Sequence, residues 1–189
     1  LQSIVKKEFK LQLFKKFVDW DKAPTEEEML EVCLEGIRGF LYTMKHHKLL
    51  GRYSKSEVNM IAELGSGIKV GGRADLVIIR DDEIGIYDGK NSKSKGKYTS
   101  PDQLRWYAML YRATTGNMPN KLGFIYYRYP YGMENEGVIE EGVDYVDFTV
   151  HHLDSLEARA KETMDGMYGL HFEPTPKAKH CTFCDYESM

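Results

Sequence analysis

The 189-residue chain is long enough for one well-packed domain and short for two, and its composition (42% hydrophobic, 29% charged) is that of an ordinary globular protein. A net charge of −3 at pH 7 excludes a uniformly basic nucleic-acid-binding protein, so any contact with nucleic acid requires local positive charge. The chain has no apolar run of the roughly 20 residues that span a bilayer, no signal-peptide profile and three cysteines, which favours a reducing, intracellular setting without membrane contact.

Two helices are predicted before any strand. An apolar stripe broken by lysines runs through residues 1–20. Pro24 and Thr25 followed by three glutamates are typical of a helix start, because acidic side chains in the first turn complement the helix dipole. We expect this second helix to end at Gly51.

The apolar period changes at residue 58, where short, β-rich segments begin. Glycines split the first segments, and Ser100-Pro101-Asp102 opens a further helix that Gly116 closes. We predict strands at 58–64, 68–71, 73–80, 83–90, 121–129 and 143–150, and helices at 100–116 and 152–168. This order predicts an α/β domain with a mixed β-sheet, whose first part is an antiparallel meander, flanked by helices.

Asp81 and Asp82 separate two of these strands, GRADLVIIR and EIGIYDGK. In a two-residue hairpin turn, residues whose numbers sum to 163 lie opposite each other, so Asp75 faces Asp88. Lys90 points to the same side as Asp88, because alternate residues of a strand share a face.

Like charges directly opposite each other destabilise a sheet, and a divalent cation between them offsets this repulsion. Two carboxylates for a metal with one adjacent ammonium form an arrangement that can hydrolyse a phosphodiester. A solvated strand end is the alternative for Asp88 and Lys90 taken alone. The facing Asp75 and the lysine-rich loop that follows favour an active site.

The motifs GGRADLVII, IYDGKNS and DQLRWYAMLY resemble, in this order, those of the PD-(D/E)XK phosphodiesterase superfamily. Within it, the chain is most similar to the RecB-like nucleases, which include the CRISPR-associated adaptation nucleases. The resemblance implies a restriction-endonuclease-like core in which Asp75 and Asp88 hold Mg²⁺ or Mn²⁺ and Lys90 is catalytic. It also implies that Gln103 and Tyr107, which share a helix face at i and i+4, turn toward the catalytic strands.

One residue departs from the family pattern. The family usually adds a metal-binding histidine on the helix before the sheet, and Phe40 stands at the position that we align with it. The nearest histidines, His46 and His47, are typical of a solvated helix end. Glu63, on the strand before GGRAD, is our candidate for the missing oxygen ligand. The substitution keeps open a non-catalytic, nucleic-acid-binding member of the family.

The C-terminal tail carries Cys181 and Cys184 in a C-x-x-C pair. It resembles the segment that some RecB-like nucleases attach to a four-cysteine iron–sulfur cluster. Cys33 is the only other cysteine, so this chain does not supply four thiolates. A zinc site that includes His180 is the other option.

The loop after the predicted catalytic lysine contains Lys93, Lys95 and Lys97. We expect these side chains to contact the phosphate backbone, although a solvated loop is the alternative. Trp106, on the next helix, is our candidate for stacking on a base of a single strand. No sequence-reading element is apparent, so we expect little base specificity.

The sequence therefore predicts a single nuclease domain over residues 1–189, with N-terminal helices (1–52), a catalytic core (53–150) and a C-terminal helix with a cysteine-containing tail (151–189). Because it begins without a methionine, we keep open that the chain is a fragment of a longer protein. The expected activity is metal-dependent hydrolysis of DNA, by exonuclease action, in replication, recombination or repair. The expected partners are DNA and a helicase or other recombination protein, in the cytoplasm or on the nucleoid. Hydrolysis of RNA stays open.

Overall fold

The structure, a computed structural model, describes residues 2–15, 24–49, 53–65, 67, 69–96, 99–129 and 142–169. Within these ranges the helices and strands follow in the order α1 (Gln2–Lys15), α2 (Glu26–His46), β1 (Tyr53–Glu63), β2 (Lys69–Arg80), β3 (Glu83–Lys90), α3 (Pro101–Thr115), β4 (Lys121–Tyr126), β5 (Val143–Tyr145) and α4 (Val150–Tyr168).

The five strands form one mixed sheet in the order β1-β2-β3-β4-β5. Strands β1, β2 and β3 are an antiparallel meander, α3 crosses over to make β4 parallel to β3, and β5 runs antiparallel to β4. The predicted α/β class and the antiparallel first half of the sheet are confirmed. None of the helices that the structure describes is both long and apolar enough to cross a membrane.

Local signals set the helix ends. Thr25 Oγ1 accepts a hydrogen bond from the Glu28 amide at 3.2 Å, while the Glu28 carboxylate accepts one from the Thr25 amide at 2.8 Å. This capping box satisfies two amides at the start of α2, where the sequence predicts a helix start. The helix ends at His46, before the predicted Gly51. Gly116, with φ of 74°, closes α3 in the left-handed conformation that glycine adopts without strain.

The predicted break between strands 68–71 and 73–80 is wrong, because β2 continues through the glycines. Gly71 pairs with Ile61, and Gly72 pairs with Met60. A Cβ on Gly72 would lie 2.9 Å from Leu110 Cδ1, so this glycine allows α3 to approach the strand closely. The predicted strand at 143–150 is also shorter, because α4 already begins at Val150.

Both faces of the sheet are covered. Helix α3 packs on one face, with α4 beside it, and α2 packs on the other face, with α1 beside it. The core on the α3 side includes Val77, Ile86, Leu104, Ala108, Met109, Leu122 and Phe124. The core on the α2 side includes Met44, Ile78, Tyr87, Ile125 and Val143.

The β1–β2 ladder is interrupted at one place, where Glu57 and Asp75 stand opposite each other without pairing. Glu57 has φ of 54°, which is uncommon for a residue with a side chain. Ala74 and Val77 both pack in the core on the α3 side. In a regular strand, residues three positions apart lie on opposite faces. The strand therefore changes its facing at Asp75 without an extra residue, since the register is the same on both sides of this position.

We predict opposite effects for two glycine substitutions in α2. A Cβ on Gly39 would overlap the carbonyl oxygen of Tyr127, whereas a Cβ on Gly36 would meet nothing closer than 3.6 Å. Gly39→Ala should therefore lower the free energy of unfolding by roughly 1–3 kcal/mol through overpacking. Gly36→Ala should raise it by up to about 1 kcal/mol, because alanine favours the helix interior. Urea denaturation followed by circular dichroism measures both, and equal effects would contradict the packing of α2 against Tyr127.

Candidate active site

The β2–β3 hairpin has the predicted register. Leu76 lies opposite Tyr87, and the pairs nearer the turn follow the same sum of 163, so Asp75 and Asp88 occupy the next position of the hairpin. Asp75 Oδ2 accepts a hydrogen bond from the Gly89 amide at 2.8 Å, which holds Asp75 against the end of β3. The predicted register is confirmed up to Leu76 and Tyr87, and it supports the predicted juxtaposition of the two aspartates at the next position.

Asp88 is a buried carboxylate, with 4% of its surface exposed. Gln103 Nε2 donates to Asp88 Oδ1 at 2.8 Å, and Lys90 Nζ lies 2.6 Å from Asp88 Oδ2. Burial raises the pKa of Asp88 most, and the charge on Asp75 raises it further. Lys90 acts in the opposite direction but does not cancel the shift, so the pKa of Asp88 stays above its ordinary value.

One oxygen of Asp88 lacks a hydrogen bond. Asp88 Oδ2 is inaccessible to solvent and has no hydrogen-bond partner among the described residues, since the Lys90 ammonium is close but lies outside hydrogen-bond geometry. The charge of Lys90 compensates this oxygen only in part, because burial still keeps the pKa of Asp88 above its ordinary value. The single positive charge of Lys90 faces the two negative charges of Asp75 and Asp88, and this oxygen-rich set of side chains fits a divalent metal.

The chain supplies two carboxylates to such a metal. In the part of the chain that the structure describes, no group of three or more His, Cys, Asp or Glu side chains is placed to hold a metal ion. Asp75 and Asp88 alone match Mg²⁺, which is commonly bound through one or two carboxylates and keeps its remaining positions for water and substrate phosphate.

Gln103 connects the predicted helix motif to the predicted strand motif. Its Nε2 donates to Asp88, and its Oε1 accepts from Lys90 Nζ at 3.3 Å. The same Nε2 lies 3.3 Å from the Tyr107 hydroxyl, one turn further along α3. Lys90 also lies 5.4 Å from the centre of the Phe124 ring. The structure therefore brings Asp88, Lys90, Gln103 and Tyr107 together as predicted.

Glu63 is not brought to this site. It pairs with Lys69, and Asp75 lies six residues further along β2, which corresponds to about 20 Å at ~3.3 Å per residue. The acid opposite Asp75 is Glu57, whose carboxylate accepts from Arg73 Nε at 2.8 Å. The sequence alone did not identify Glu57, because a glycine-rich loop between β1 and β2 leaves their register open.

Tyr127 is a second residue that sequence reasoning missed. Its hydroxyl lies against Gly89 on the face of β3 that Asp88 does not occupy, and a Cβ on Gly89 would overlap it. Its ring contacts Phe40 edge-to-face, with ring centres 5.3 Å apart. Burial, together with the charges of Asp75, Asp88 and Glu57, raises the pKa of Tyr127 to about 12. The phenol therefore stays protonated at neutral pH.

The position of Tyr127 near the aspartates follows from the order of strands in the sheet, which the sequence alone does not give. Tyr126 lies beside Lys90 in parallel strands, so the next residue of β4 reaches the same end of the sheet. Phe40 occupies the place near the site where the resemblance leads us to expect a histidine. His47, at the other end of the sheet, contacts Tyr145 at 3.3 Å.

The lysine-rich loop is attached to the domain. Lys93 Nζ lies 2.7 Å from Glu35 Oε1, and Lys95 Nζ lies 3.7 Å from Asp144 Oδ1. Trp106 Nε1 donates to the Gly71 carbonyl at 3.4 Å, so this ring packs over the β1–β2 hairpin. Lys97, Cys181 and Cys184 lie outside the described residues.

We predict that Asp75→Asn stabilises the metal-free protein. An asparagine oxygen can still accept from Gly89, but the charge that raises the pKa of Asp88 is removed. The folded-state pKa of Asp88 lies above its unfolded value, which is near 4. Proton binding to Asp88 therefore stabilises the fold fully below the unfolded pKa, and this stabilisation is lost as pH rises through the folded-state pKa. The Tm in EDTA should therefore rise by about 1–3 °C at pH 7.

Thermal unfolding by differential scanning fluorimetry tests this expectation, with Asp82→Asn in the exposed turn as the control for net charge. The gain should shrink as pH is lowered toward 4, and the rise in Tm that Mn²⁺ gives the unchanged protein should be lost in Asp75→Asn. A gain that is the same at every pH, or that Asp82→Asn reproduces, would contradict repulsion between the aspartates.

Comparisons with known proteins assign this chain to a family. A search of curated protein sequences gives no match. Among solved structures, the crystal structure of SSO0001 is similar over 97% of this chain and 91% of that chain, with 17% identity and a TM-score of 0.42. The family model of the PD-(D/E)XK nuclease superfamily, whose members generally are nucleases and typically use Mg²⁺ or Mn²⁺, matches residues 4–189. The chain therefore belongs to the PD-(D/E)XK nuclease superfamily.

Proposed function

We propose that this chain is a divalent-metal-dependent nuclease of the RecB-like branch that hydrolyses phosphodiester bonds of DNA. The observation that carries the proposal is the buried Asp88, whose carboxylate contacts Lys90 and is repelled by the charge of Asp75. Because a buried, repelled carboxylate lowers stability, its presence at a strand end favours a catalytic role over a structural one.

Each residue of the site has a separate role in the proposed hydrolysis. When Asp75 and Asp88 bind it, Mg²⁺ or Mn²⁺ supplies an activated water and neutralises charge on the phosphate. Lys90 places an ammonium where negative charge builds up as the phosphodiester is attacked. Gln103 keeps both the Asp88 carboxylate and the Lys90 ammonium in position through its two hydrogen bonds. Tyr107 extends this network along α3.

DNA is the proposed substrate. Lys93 and Lys95 follow the catalytic strand, where they lie against the carboxylates of Glu35 and Asp144, and we propose that the phosphate backbone of DNA replaces or shares these contacts. The family resemblance favours exonuclease action on ends or single strands in replication, recombination or repair. It also makes a helicase or other recombination protein the proposed partner.

A second candidate is a nucleic-acid-binding module without turnover. It is favoured by Phe40, which contacts Tyr127 edge-to-face at the place where the resemblance leads us to expect a metal-binding histidine. A phenyl ring offers no metal ligand, so this chain would hold a cation with fewer protein atoms than a member that keeps the histidine.

We predict metal-dependent cleavage that requires Asp88 and Lys90. End-labelled single- and double-stranded DNA and RNA are incubated with the protein in Mg²⁺, Mn²⁺ or EDTA. Asp88→Asn and Lys90→Ala should each lower the cleavage rate at least about 100-fold, because each removes charge at the reacting phosphate. Lys121→Ala, which removes a lysine from the far end of β4, is the control and should cleave as the unchanged protein does.

Cleavage that persists in EDTA, or in both Asp88→Asn and Lys90→Ala, would rule out the metal-nuclease proposal. DNA binding without cleavage in either metal would favour the binding module. Faster cleavage of RNA than of DNA would reassign the substrate and leave the metal site in place.

A further inference from the structure

A cavity of about 470 Å³ lies between α2 and the residues that follow β4. Its α2 wall is formed by Val32, Cys33, Ile37 and Phe40, and its other wall is formed by Tyr127 and Asn91. This volume is within the range of about 300–1,000 Å³ that small-molecule sites occupy. The metal site described above makes no use of this space.

The cavity begins where the catalytic strand ends. Asn91, which lines it, directly follows Lys90 in the chain. The Tyr127 amide donates to the Lys90 carbonyl at 3.0 Å, and the Tyr127 hydroxyl lies against Gly89, whose amide binds Asp75. Tyr127 therefore belongs to the wall of the cavity and to the surroundings of the aspartates at once.

The lining suits a flat ring with polar edges. The apolar side chains of α2, which include Phe40, lie on one side, and the ring of Tyr127 offers apolar surface on the other. The side-chain amide of Asn91 is exposed and makes no hydrogen bond with another described residue, so both a donor and an acceptor are available at the mouth. A nucleobase combines a π-face for stacking with donors and acceptors on its edge.

The rim of the cavity carries net positive charge. Glu35 accepts from Lys93 Nζ and from Arg128 Nε, both at 2.7 Å, so two cations share one carboxylate. Burial acts to raise the pKa of Glu35, but its bonds to Lys93 and Arg128 lower it overall, and the carboxylate stays ionised and keeps both cations in place. A phosphate attached to a bound nucleoside would meet this excess charge.

We propose that this cavity binds one unpaired nucleobase of the substrate strand, adjacent to the phosphodiester that is cleaved. The inference rests on the proposed nuclease function. A base reaches such a cavity only when it has left the duplex stack, so the site selects single strands and frayed ends. The continuity with Asp75 through Tyr127 and the positive rim favour a nucleotide over an apolar protein segment.

The test is a binding measurement that does not depend on cleavage. Fluorescence anisotropy of a labelled 12-nucleotide single strand is recorded in EDTA and again in Ca²⁺, with one abasic nucleotide moved through every position. We expect about a tenfold loss of affinity at one position, because the abasic nucleotide has no ring to stack in the cavity. The remaining positions should change affinity less than twofold.

Gly36→Leu fills the cavity, because a Cβ on Gly36 points toward Asn91 Oδ1 at 3.6 Å. It should lower the affinity for the intact strand about tenfold and remove the effect of the abasic position. Gly166→Leu is the matched control, because a Cβ there meets nothing within 4 Å on α4, and it should bind as the unchanged protein does. The intact strand should also protect Cys33 from alkylation by N-ethylmaleimide, as measured by peptide mass spectrometry.

An abasic profile without a distinct position, or an unchanged affinity in Gly36→Leu, would overturn the inference. A cavity that holds a protein segment would instead show a lower Tm for Gly36→Leu with unchanged DNA affinity, and this result also overturns it. Cleavage without a distinct abasic position would remove the base site and leave the nuclease function. A distinct position without cleavage would keep the base site and count against the nuclease function.

Discussion

The pairing register between β2 and β3 is the constraint on which the candidate site depends. Asp81, with φ of 53°, opens the two-residue turn in the left-handed conformation typical of tight hairpins. This turn brings Asp75 and Asp88 to the other end of the hairpin. A slip of one residue would direct Asp88 toward α2 and away from Gln103, and it would remove apolar side chains such as Ile86 from the core under α3. Apolar packing therefore enforces the position of the charged residues.

The site lies at the ends of neighbouring strands, and this placement explains why a buried carboxylate with a raised pKa is found there. Strand β3 ends at Lys90, parallel strand β4 ends beside it at Tyr126, and Asp75 stands where β2 changes its facing. Regular pairing stops at these points, so side chains and amides remain available to a ligand. The raised pKa of Asp88 shows the free-energy cost of leaving a carboxylate there. The surrounding core, which buries Ile86 and Leu104 completely, allows the fold to tolerate this cost.

The parts of the site that could be predicted from the sequence are those set by local geometry. A two-residue turn fixes its register, so Asp75 and Asp88 could be paired without a structure, and helix periodicity placed Gln103 beside Tyr107. Glu57 and Tyr127 depend on contacts between distant segments. The β1–β2 loop does not determine its own register, and the parallel neighbour of β3 is reached only through α3. Contacts between distant segments also explain the break wrongly predicted at the two glycines of β2, since only the packing of α3 shows that the strand continues.

The central claim, that the two aspartates hold a divalent cation, is tested most directly by paramagnetic NMR. Mn²⁺ broadens amide signals within a short distance of its binding site. We expect titration with Mn²⁺ to broaden the amide signals of Gly89 and Tyr127 first, to leave that of Gly166 on α4 unchanged, and to lose selectivity in Asp88→Asn. Broadening that begins elsewhere, or that is the same in Asp88→Asn, would contradict the claim.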